Sequence, residues 1–224
     1  MKTFIQRYRE RQQAYDEKID QLYTHKKDLE EKIAPLRMKL LSDVTTIADK
    51  SKALEEIRAL LPENRQLLVG LAYYSAADEA WSKALEYIRT FLKQGGRQYS
   101  DRMGLGLMES GILHYQGQEV EALASLEEFL RRTPDSWYQA ISEYLLGKQT
   151  EDFLKKLAIE SPENLITAST ALGFWSEGSG DKEKAIRHYK EALGSFLDDW
   201  AEYDLARERI KRLRQPDPPP VSPV

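Results

Sequence analysis

Histidine and cysteine usage limits the chemistry open to this chain of 224 residues. It has three histidines, His25, His114 and His188, and no cysteine. No histidine pair has the spacing of a zinc site, and the lack of cysteine excludes disulfides, thiolate metal ligands and a cysteine nucleophile. A Ser–His–Asp triad has no support from so few histidines. We therefore predict that the protein is not an enzyme and has no cofactor or bound metal.

Two glycine-containing stretches have a superficial likeness to nucleotide-binding loops. "GLGLMESG", residues 104–111, lacks the preceding strand of a dinucleotide fingerprint. "LLGKQT", residues 145–150, lacks both the upstream glycine of a P-loop and a Ser or Thr directly after its lysine. We predict that the glycines of the first stretch allow close helix packing and that Gly147 ends a helix.

Charged residues make up 31% of the chain, and the net charge of -4 gives no indication of a nucleic-acid binder. Acidic pairs such as Glu127–Glu128 are typical of solvated helix faces. The densest basic cluster is "RERIKRLR" at 207–214, where the dipole of a helix C-terminus suffices to explain it. We predict a surface position for His188. For His114 we weigh a hydrogen-bonded polar residue against a contact with a partner.

Proline positions and the near absence of strand signals predict an all-α chain. Five of the nine prolines lie in the Pro-rich tail, residues 215–224, which is expected to be disordered or polyproline II. The other four punctuate stretches with helical patterns. Because no apolar run approaches 18 residues, we expect no transmembrane segment. The lack of cysteine fits a reducing compartment, so we expect a cytoplasmic or cytoplasm-facing protein.

Residues 1–43 carry an apolar heptad pattern that is typical of a long, coiled-coil-like helix. We call the following residues the heptad stripe: Ile5, Tyr8, Tyr15, Ile19, Leu22, Leu29 and Ile33. Pro35 predicts a break or kink after about residue 33, because proline removes a helical hydrogen bond and crowds the previous turn. Two alternatives remain open: the stripe pairs with a second copy in a homodimer, or it folds back on its own domain.

Three later segments share one spacing of small and large residues. In each, a second small residue follows the first after twelve positions, and a larger apolar residue follows four positions later. The small pairs are Ala72–Ala84, Ser110–Ala122 and Gly173–Ala185, and the larger residues are Ile88, Leu126 and Tyr189. Antiparallel helices approach closely only where small side chains meet. The spacing therefore predicts helical hairpins, which bury their remaining faces by stacking on one another.

These hairpins resemble the tetratricopeptide repeat family. "LGFWSEGSGDKEKAIRHYKEAL", residues 172–193, matches best, with its Leu-Gly pair, Gly-Asp turn, Ala-Ile, aromatic residue and Ala-Leu. The resemblance covers roughly residues 44–195 and implies a right-handed superhelix of four or five antiparallel hairpins, some of them degenerate. Residues 136–161 look like a shortened repeat. Residues 196–214 would form a capping helix, because a stack must end with a polar outer face.

The resemblance implies a non-enzymatic scaffold that binds a protein or peptide partner in the concave groove of the repeats. Carried over residue by residue, the inward positions are Val69, Tyr73, Ala76, Leu107, Gly111, His114, Tyr115, Thr170, Phe174 and Glu177. We expect an apolar or amphipathic segment as ligand, with Tyr73 and Phe174 as anchors, unless the N-terminal helix fills the groove itself. The alternatives are a regulatory or assembly region of a larger, multidomain or membrane-anchored protein and, third, RNA or acidic-partner binding through residues 207–214.

Overall fold

The computed structural model describes residues 26–42, 44–93, 99–133 and 135–215. These residues form eleven α-helices and no strand, which confirms the all-α prediction for the described part of the chain. The helices are α1 (26–41), α2 (Ile47–Leu60), α3 (Gln66–Ala77), α4 (Trp81–Lys93), α5 (Tyr99–Tyr115), α6 (Glu119–Arg132), α7 (Ser136–Leu145), α8 (Glu151–Ala158), α9 (Pro162–Gly178), α10 (Lys182–Leu193) and α11 (Ala201–Leu213). The predictions for Ile5, Tyr8, Tyr15, Ile19, Leu22 and residues 216–224 lie outside the described residues.

Side-chain caps fix where several of these helices begin. Thr46, Thr150 and Ser161 each accept a hydrogen bond from the backbone N–H three residues later, and Pro162 follows Ser161 in the first turn of α9. Asp181, the aspartate of the predicted Gly-Asp turn, caps α10 in the same way. Each cap of this kind stabilises its helix by about 0.5–2 kcal/mol.

The described end of the heptad stripe packs within the chain. Ile33 and Leu36 on α1 are buried against Ala53 and Ile57 on α2, with Leu29 partly buried beside them. Between the two alternatives, this part of the stripe therefore folds back on its own domain. Pairing of the earlier heptad positions with a second copy stays a prediction.

Of the predicted break or kink at Pro35, the break does not occur, because α1 continues without interruption to residue 41, and the kink stays a prediction. Pro35 lies on the exposed side of α1, between the buried positions 33 and 36. The carbonyl group that loses its helical partner to the proline ring is therefore on the side where water can bond to it.

Consecutive helices pair as antiparallel hairpins at the predicted small residues. In the α9–α10 hairpin, a Cβ on Gly173 would lie 2.6 Å from the ring of Tyr189. In the α5–α6 hairpin, a Cβ on Gly106 would lie 2.6 Å from the ring of Phe129. Both glycines thus admit an aromatic side chain of the partner helix, and the predicted role of the glycines in 104–111 is confirmed.

The shortened segment, residues 136–161, forms the short helices α7 and α8 and lies in the sequence between two helices, α5 and α9, that contact each other. α7 has 10 residues and α8 has 8, and they share a separate hydrophobic core with parts of α6 and α9. α5 and α9 contact each other directly, and the ring of Phe174 on α9 lies against Gly111 on α5. Gly147 has a positive φ of 72° and lies two residues after the end of α7, at the helix end that the sequence predicts.

The last helix, α11, does more than cap the stack. It packs against α10, its neighbour in sequence, but also against α9 and α3. It is tied to α2 by a buried ion pair between the ammonium of Lys50 and the carboxylate of Asp204, 2.7 Å apart, and Tyr74 of α3 donates to the same carboxylate at 3.2 Å. α11 therefore bridges the first and last hairpins. In the described residues we find no helix whose length and apolar character would let it span a membrane.

Candidate functional site

The predicted groove residues lie on the inner helices α3, α5 and α9; α11 packs against α3 and α9, whereas Leu107 of α5 belongs to the core formed with α7 and α8. The buried members are Tyr73, Ala76, Leu107, His114, Thr170, Phe174 and Glu177, whereas Val69 and Tyr115 are half-buried. Part of the predicted groove is thus covered by a helix of the same chain, α11. The alternative in which the N-terminal helix fills the groove stays a prediction, because residues 1–25 lie outside the described part of the chain.

Phe174 belongs to the core. Its side chain is 3% exposed, and its ring centroid lies 5.6 Å from that of Trp81 and 5.9 Å from that of Tyr115. Tyr73 is 4% exposed. Both side chains are mostly buried and reach open space only at the walls of cavities, so replacing either one affects folding as well as any binding.

Arg209 of α11 holds the covered surface together. Its guanidinium bonds to both carboxylate oxygens of Glu177, donates to Glu79 at 2.8 Å, and lies over the rings of Trp81 and Tyr115. Burial lowers the pKa of Arg209, but its bonds to Glu177 outweigh this and hold it above its ordinary value. Glu177, a predicted partner contact, is therefore occupied by a residue of the same chain.

His114 occupies the polar, hydrogen-bonded position that was one of its two predicted roles. Its Nδ1 bonds to the carboxylate of Glu119, its Nε2 lies 2.9 Å from Ser179 Oγ, and its ring stacks on Trp175. This Ser–His–Glu order has the connectivity of an acyl-transfer triad. The N–H groups of residues 179–181 do not supply an oxyanion hole, because all three donate to carbonyl groups of the preceding turn. The arrangement therefore ties α5, α6 and α9 together.

The predicted surface position of His188 is wrong. Its side chain is 0% exposed, its Nδ1 lies 3.1 Å from the carboxylate of Glu191, and its Nε2 has no hydrogen-bond partner in the described residues. His188 shares one face of α10 with Ala185, Tyr189 and Ala192, all of which are buried. Burial lowers its pKa below the ordinary value, against the opposing effect of Glu191.

This burial predicts a loss of stability on acidification that depends on His188. Because its pKa is lower in the folded state, the unfolded chain binds more protons, so stability falls as the pH drops through the ordinary histidine range, near 6.5. Nearby Glu191 and Glu151 oppose this effect and Lys155 adds to it. Urea unfolding at pH 7.5 and 5.5 should show a smaller decrease for His188→Gln than for the wild type. An equal decrease in both would contradict the assignment.

The open concave site is a cleft where the N-terminal ends of five helices meet. We call it the acidic cleft. It has a volume of about 390 Å³ and is lined by Val69 and Tyr73 (α3), Asp101 and Gly104 (α5), Asp135, Trp137 and Tyr138 (α7), Glu163, Asn164 and Thr167 (α9), and Trp200 and Glu202 (α11). Val69 and Tyr73 were predicted groove residues, so the cleft is the uncovered end of that groove.

The four carboxylates of the cleft follow from local helix chemistry. Asp135 caps α7 by accepting from the N–H groups of Trp137 and Tyr138. Asp101, Glu163 and Glu202 lie in the first turns of α5, α9 and α11. Each helix N-terminus carries about half a positive charge, so five of them offset only part of four negative charges. Among the described lining residues, acidic groups therefore outnumber basic ones.

Aromatic side chains line another part of the acidic cleft. Tyr73, Trp137, Tyr138 and Trp200 line the cleft, and among the described residues no lysine or arginine does. Aromatic faces attract cations, and carboxylates pair with them. The chemistry of the cleft thus fits a positively charged ligand. Within the described residues its acids do not group closely enough to form a candidate metal site.

Glu202 is the carboxylate of the cleft that bonds to Tyr73. Burial raises its pKa, and a hydrogen bond from the Tyr73 hydroxyl partly opposes that effect. Burial and the charge of Glu202 in turn raise the pKa of Tyr73 well above its ordinary value. An incoming cation would stabilise the ionised form of Glu202. The negative charge of this carboxylate is therefore better compensated when a cationic ligand is bound.

A second open cavity, of about 350 Å³ between α4, α5 and α6, has mixed charge. Its arginines already have partners within the chain: Arg89 pairs with Glu109 at 2.8 Å, and Arg132 pairs with Glu128. Lys93 and Arg102 also line this cavity, so basic residues outnumber the two acidic ones, Glu109 and Glu128, among its described lining. It therefore does not offer a cationic ligand the negative charge that the acidic cleft does.

The basic cluster of α11 is also largely neutralised. Besides Arg209, Lys211 pairs with Glu208, and Arg212 pairs with Asp78 and lies near Glu79. The contacts of Arg212 join α11 to the turn between α3 and α4. The basic cluster therefore has a packing role in addition to its predicted interaction with the helix dipole. Because Arg209, Lys211 and Arg212 are already paired with acidic residues, they give little support to the proposal of RNA binding through residues 207–214.

Comparison of the chain with protein-family models gives no match, and comparison with curated proteins gives no significant match. The resemblance to tetratricopeptide repeats therefore depends on the residues and hairpins of this chain alone. The cleft acids were missed in the sequence because they were interpreted singly. A usable signal is present for two of them: Asp135 and Glu163 flank the shortened segment, residues 136–161.

Proposed function

We propose that this protein is a non-enzymatic interaction module, built of tetratricopeptide-like hairpins, that binds a basic segment of a partner protein in the acidic cleft. The observation that carries the proposal is the combination of four carboxylates and four aromatic side chains on one concave surface with no basic residue among its described lining. A lysine- or arginine-bearing peptide supplies the complementary charge and long apolar stems that can lie against the rings.

The size of the cleft fits part of a peptide. A volume of about 390 Å³ is in the lower range of small-ligand sites, which is enough for two or three side chains but not for a packed helix. The expected apolar or amphipathic ligand has less support than a basic one, because α11 already covers the apolar part of the groove. The partner class proposed here is accordingly cationic.

Charge-neutralising substitutions at the rim should weaken this binding. We expect the double variant Asp101→Asn with Glu163→Gln to bind a capped, lysine- and arginine-containing peptide about three- to tenfold more weakly, since exposed ion pairs contribute about 0.2–1 kcal/mol each. Isothermal titration calorimetry at low salt measures the change. Affinity of the wild type should also fall as the ionic strength rises from 50 to 500 mM, because salt screens exposed charges.

A matched control separates the cleft from general charge attraction. Glu127→Gln removes one negative charge from the exposed face of α6, outside the cleft. It should leave the affinity within about twofold of the wild type, given the small contribution of a distant surface charge. Equal weakening in Glu127→Gln and in the cleft variants would contradict the proposed site, as would no binding of basic peptides at low salt.

A further inference from the structure

A narrow cavity continues from the acidic cleft into the protein. We call it the slot. It has a volume of about 30 Å³ and shares four lining residues with the cleft: Tyr73, Gly104, Thr167 and Glu202. The gap exists partly because Gly104 has no side chain; a Cβ there would lie 3.1 Å from the Tyr73 hydroxyl. A ligand bound in the cleft thus lies at the mouth of the slot.

The inner part of the slot holds an unsatisfied polar group. Thr170 is 6% exposed and lines the slot, and its Oγ1 has no hydrogen-bond partner in the described residues. A buried hydroxyl without a partner costs about 1–3 kcal/mol, so such groups call for a bound partner. The neighbouring lining is aromatic, from Phe174 and Trp175.

We propose that the slot takes the terminal ammonium of a lysine side chain, which makes the acidic cleft selective for lysine over arginine. The inference rests on the function proposed above and specifies its ligand. Glu202 supplies the opposing charge, the Thr170 hydroxyl accepts a hydrogen bond from the ammonium, and the aromatic rings contribute cation–π attraction. The methylene stem of the lysine lies against the apolar walls.

Size distinguishes the two basic side chains. A cavity needs about 10–15 Å³ to hold one water molecule, so the slot has room for only about two groups of that size, and an ammonium group is similarly compact. A guanidinium is a planar group with three nitrogen atoms, and it needs partners in a fork arrangement. The slot offers one carboxylate, from Glu202, and the hydroxyl groups of Thr170, Thr167 and Tyr73, a set that suits three rotatable ammonium donors better than a rigid plane.

Three capped peptides with the same glycine–serine frame test the inference on the full chain. They carry three consecutive lysines, three arginines or three acetyl-lysines, and calorimetry or NMR titration gives their affinities. We expect the lysine peptide to bind about tenfold more tightly than the arginine peptide, a difference of about 1.4 kcal/mol. The acetyl-lysine peptide should bind far more weakly, because acetylation removes the charge.

Thr170 provides the variants. Thr170→Val keeps the shape and removes the unpaired hydroxyl, so the variant should fold and should lose most of the preference for lysine. Thr170→Ser keeps a hydroxyl and should retain that preference. If lysine and arginine peptides bind equally and Thr170→Val changes neither, the slot is a site for water only and the inference fails, while the proposed function stands. If no basic peptide binds, the proposed function fails as well.

Discussion

Arg209→Met is expected to lower the free energy of unfolding by about 3–5 kcal/mol, because it leaves a buried carboxylate without its charge partner. Arg209 is 1% exposed, and the side chain of Glu177 is 4% exposed. The substitution keeps most of the apolar stem and removes only the guanidinium. Urea unfolding followed by circular dichroism measures the change, and thermal unfolding provides a second estimate.

The double variant separates the charge from the packing. Arg209→Met combined with Glu177→Gln removes both charges, while the amide oxygen can still accept from the Tyr189 hydroxyl that now lies 2.9 Å from Glu177. It should be more stable than Arg209→Met alone. Arg214→Met, at an exposed position after the same helix, is the matched control and should be within about 0.5 kcal/mol of the wild type. A loss in Arg209→Met as small as in that control would show that α11 is not fixed by the Arg209–Glu177 pair.

Phe174→Ala should destabilise the fold by about 3–5 kcal/mol, the range for truncating a buried phenylalanine. Phe174 packs against three residues: it lies over Gly111 of α5, and its ring contacts those of Trp81 and Tyr115. Its removal leaves a cavity between α5 and α9, next to the slot that Phe174 lines. The free energy of unfolding in urea measures the loss.

Phe153→Ala is the control for this substitution. Phe153 lies on α8 and is 43% exposed, so its truncation should cost well under half as much. If both variants lose the same small amount, Phe174 is not part of a packed core. That outcome would restore the sequence-based interpretation of Phe174 as an accessible anchor for a partner.

Local features of the fold could be predicted because they depend on residues close in sequence. The small residues at Gly173 and Ala185, the turn at Gly180 and the cap at Asp181 all lie within one hairpin, and the structure has each in the expected place. His188 could have been predicted too, since its spacing of three from Ala185 and four from Ala192 puts it on the buried face of α10.

The position of α11 could not be read from the sequence in the same way. It depends on pairs far apart in the chain, such as Lys50 with Asp204, and a charged residue with a buried partner looks in the sequence like any solvated one. The acidic cleft has the same origin. Its carboxylates come from four different helix starts, and only the tertiary arrangement brings those ends to one surface.

The central claim is that α11 covers the inner surface while the acidic cleft stays open to a cationic ligand. The chain's four tryptophans report on both parts. Trp137 and Trp200 line the cleft, whereas Trp81 lies beside Arg209 and Phe174 under α11. The direct measurement is a ¹H–¹⁵N titration of the full chain with the lysine peptide, in which the indole signals are assigned through Trp→Phe variants. We predict that the signals of Trp137 and Trp200 shift and saturate while that of Trp81 stays in place. Unchanged signals from Trp137 and Trp200, or a larger shift at Trp81, would contradict the claim.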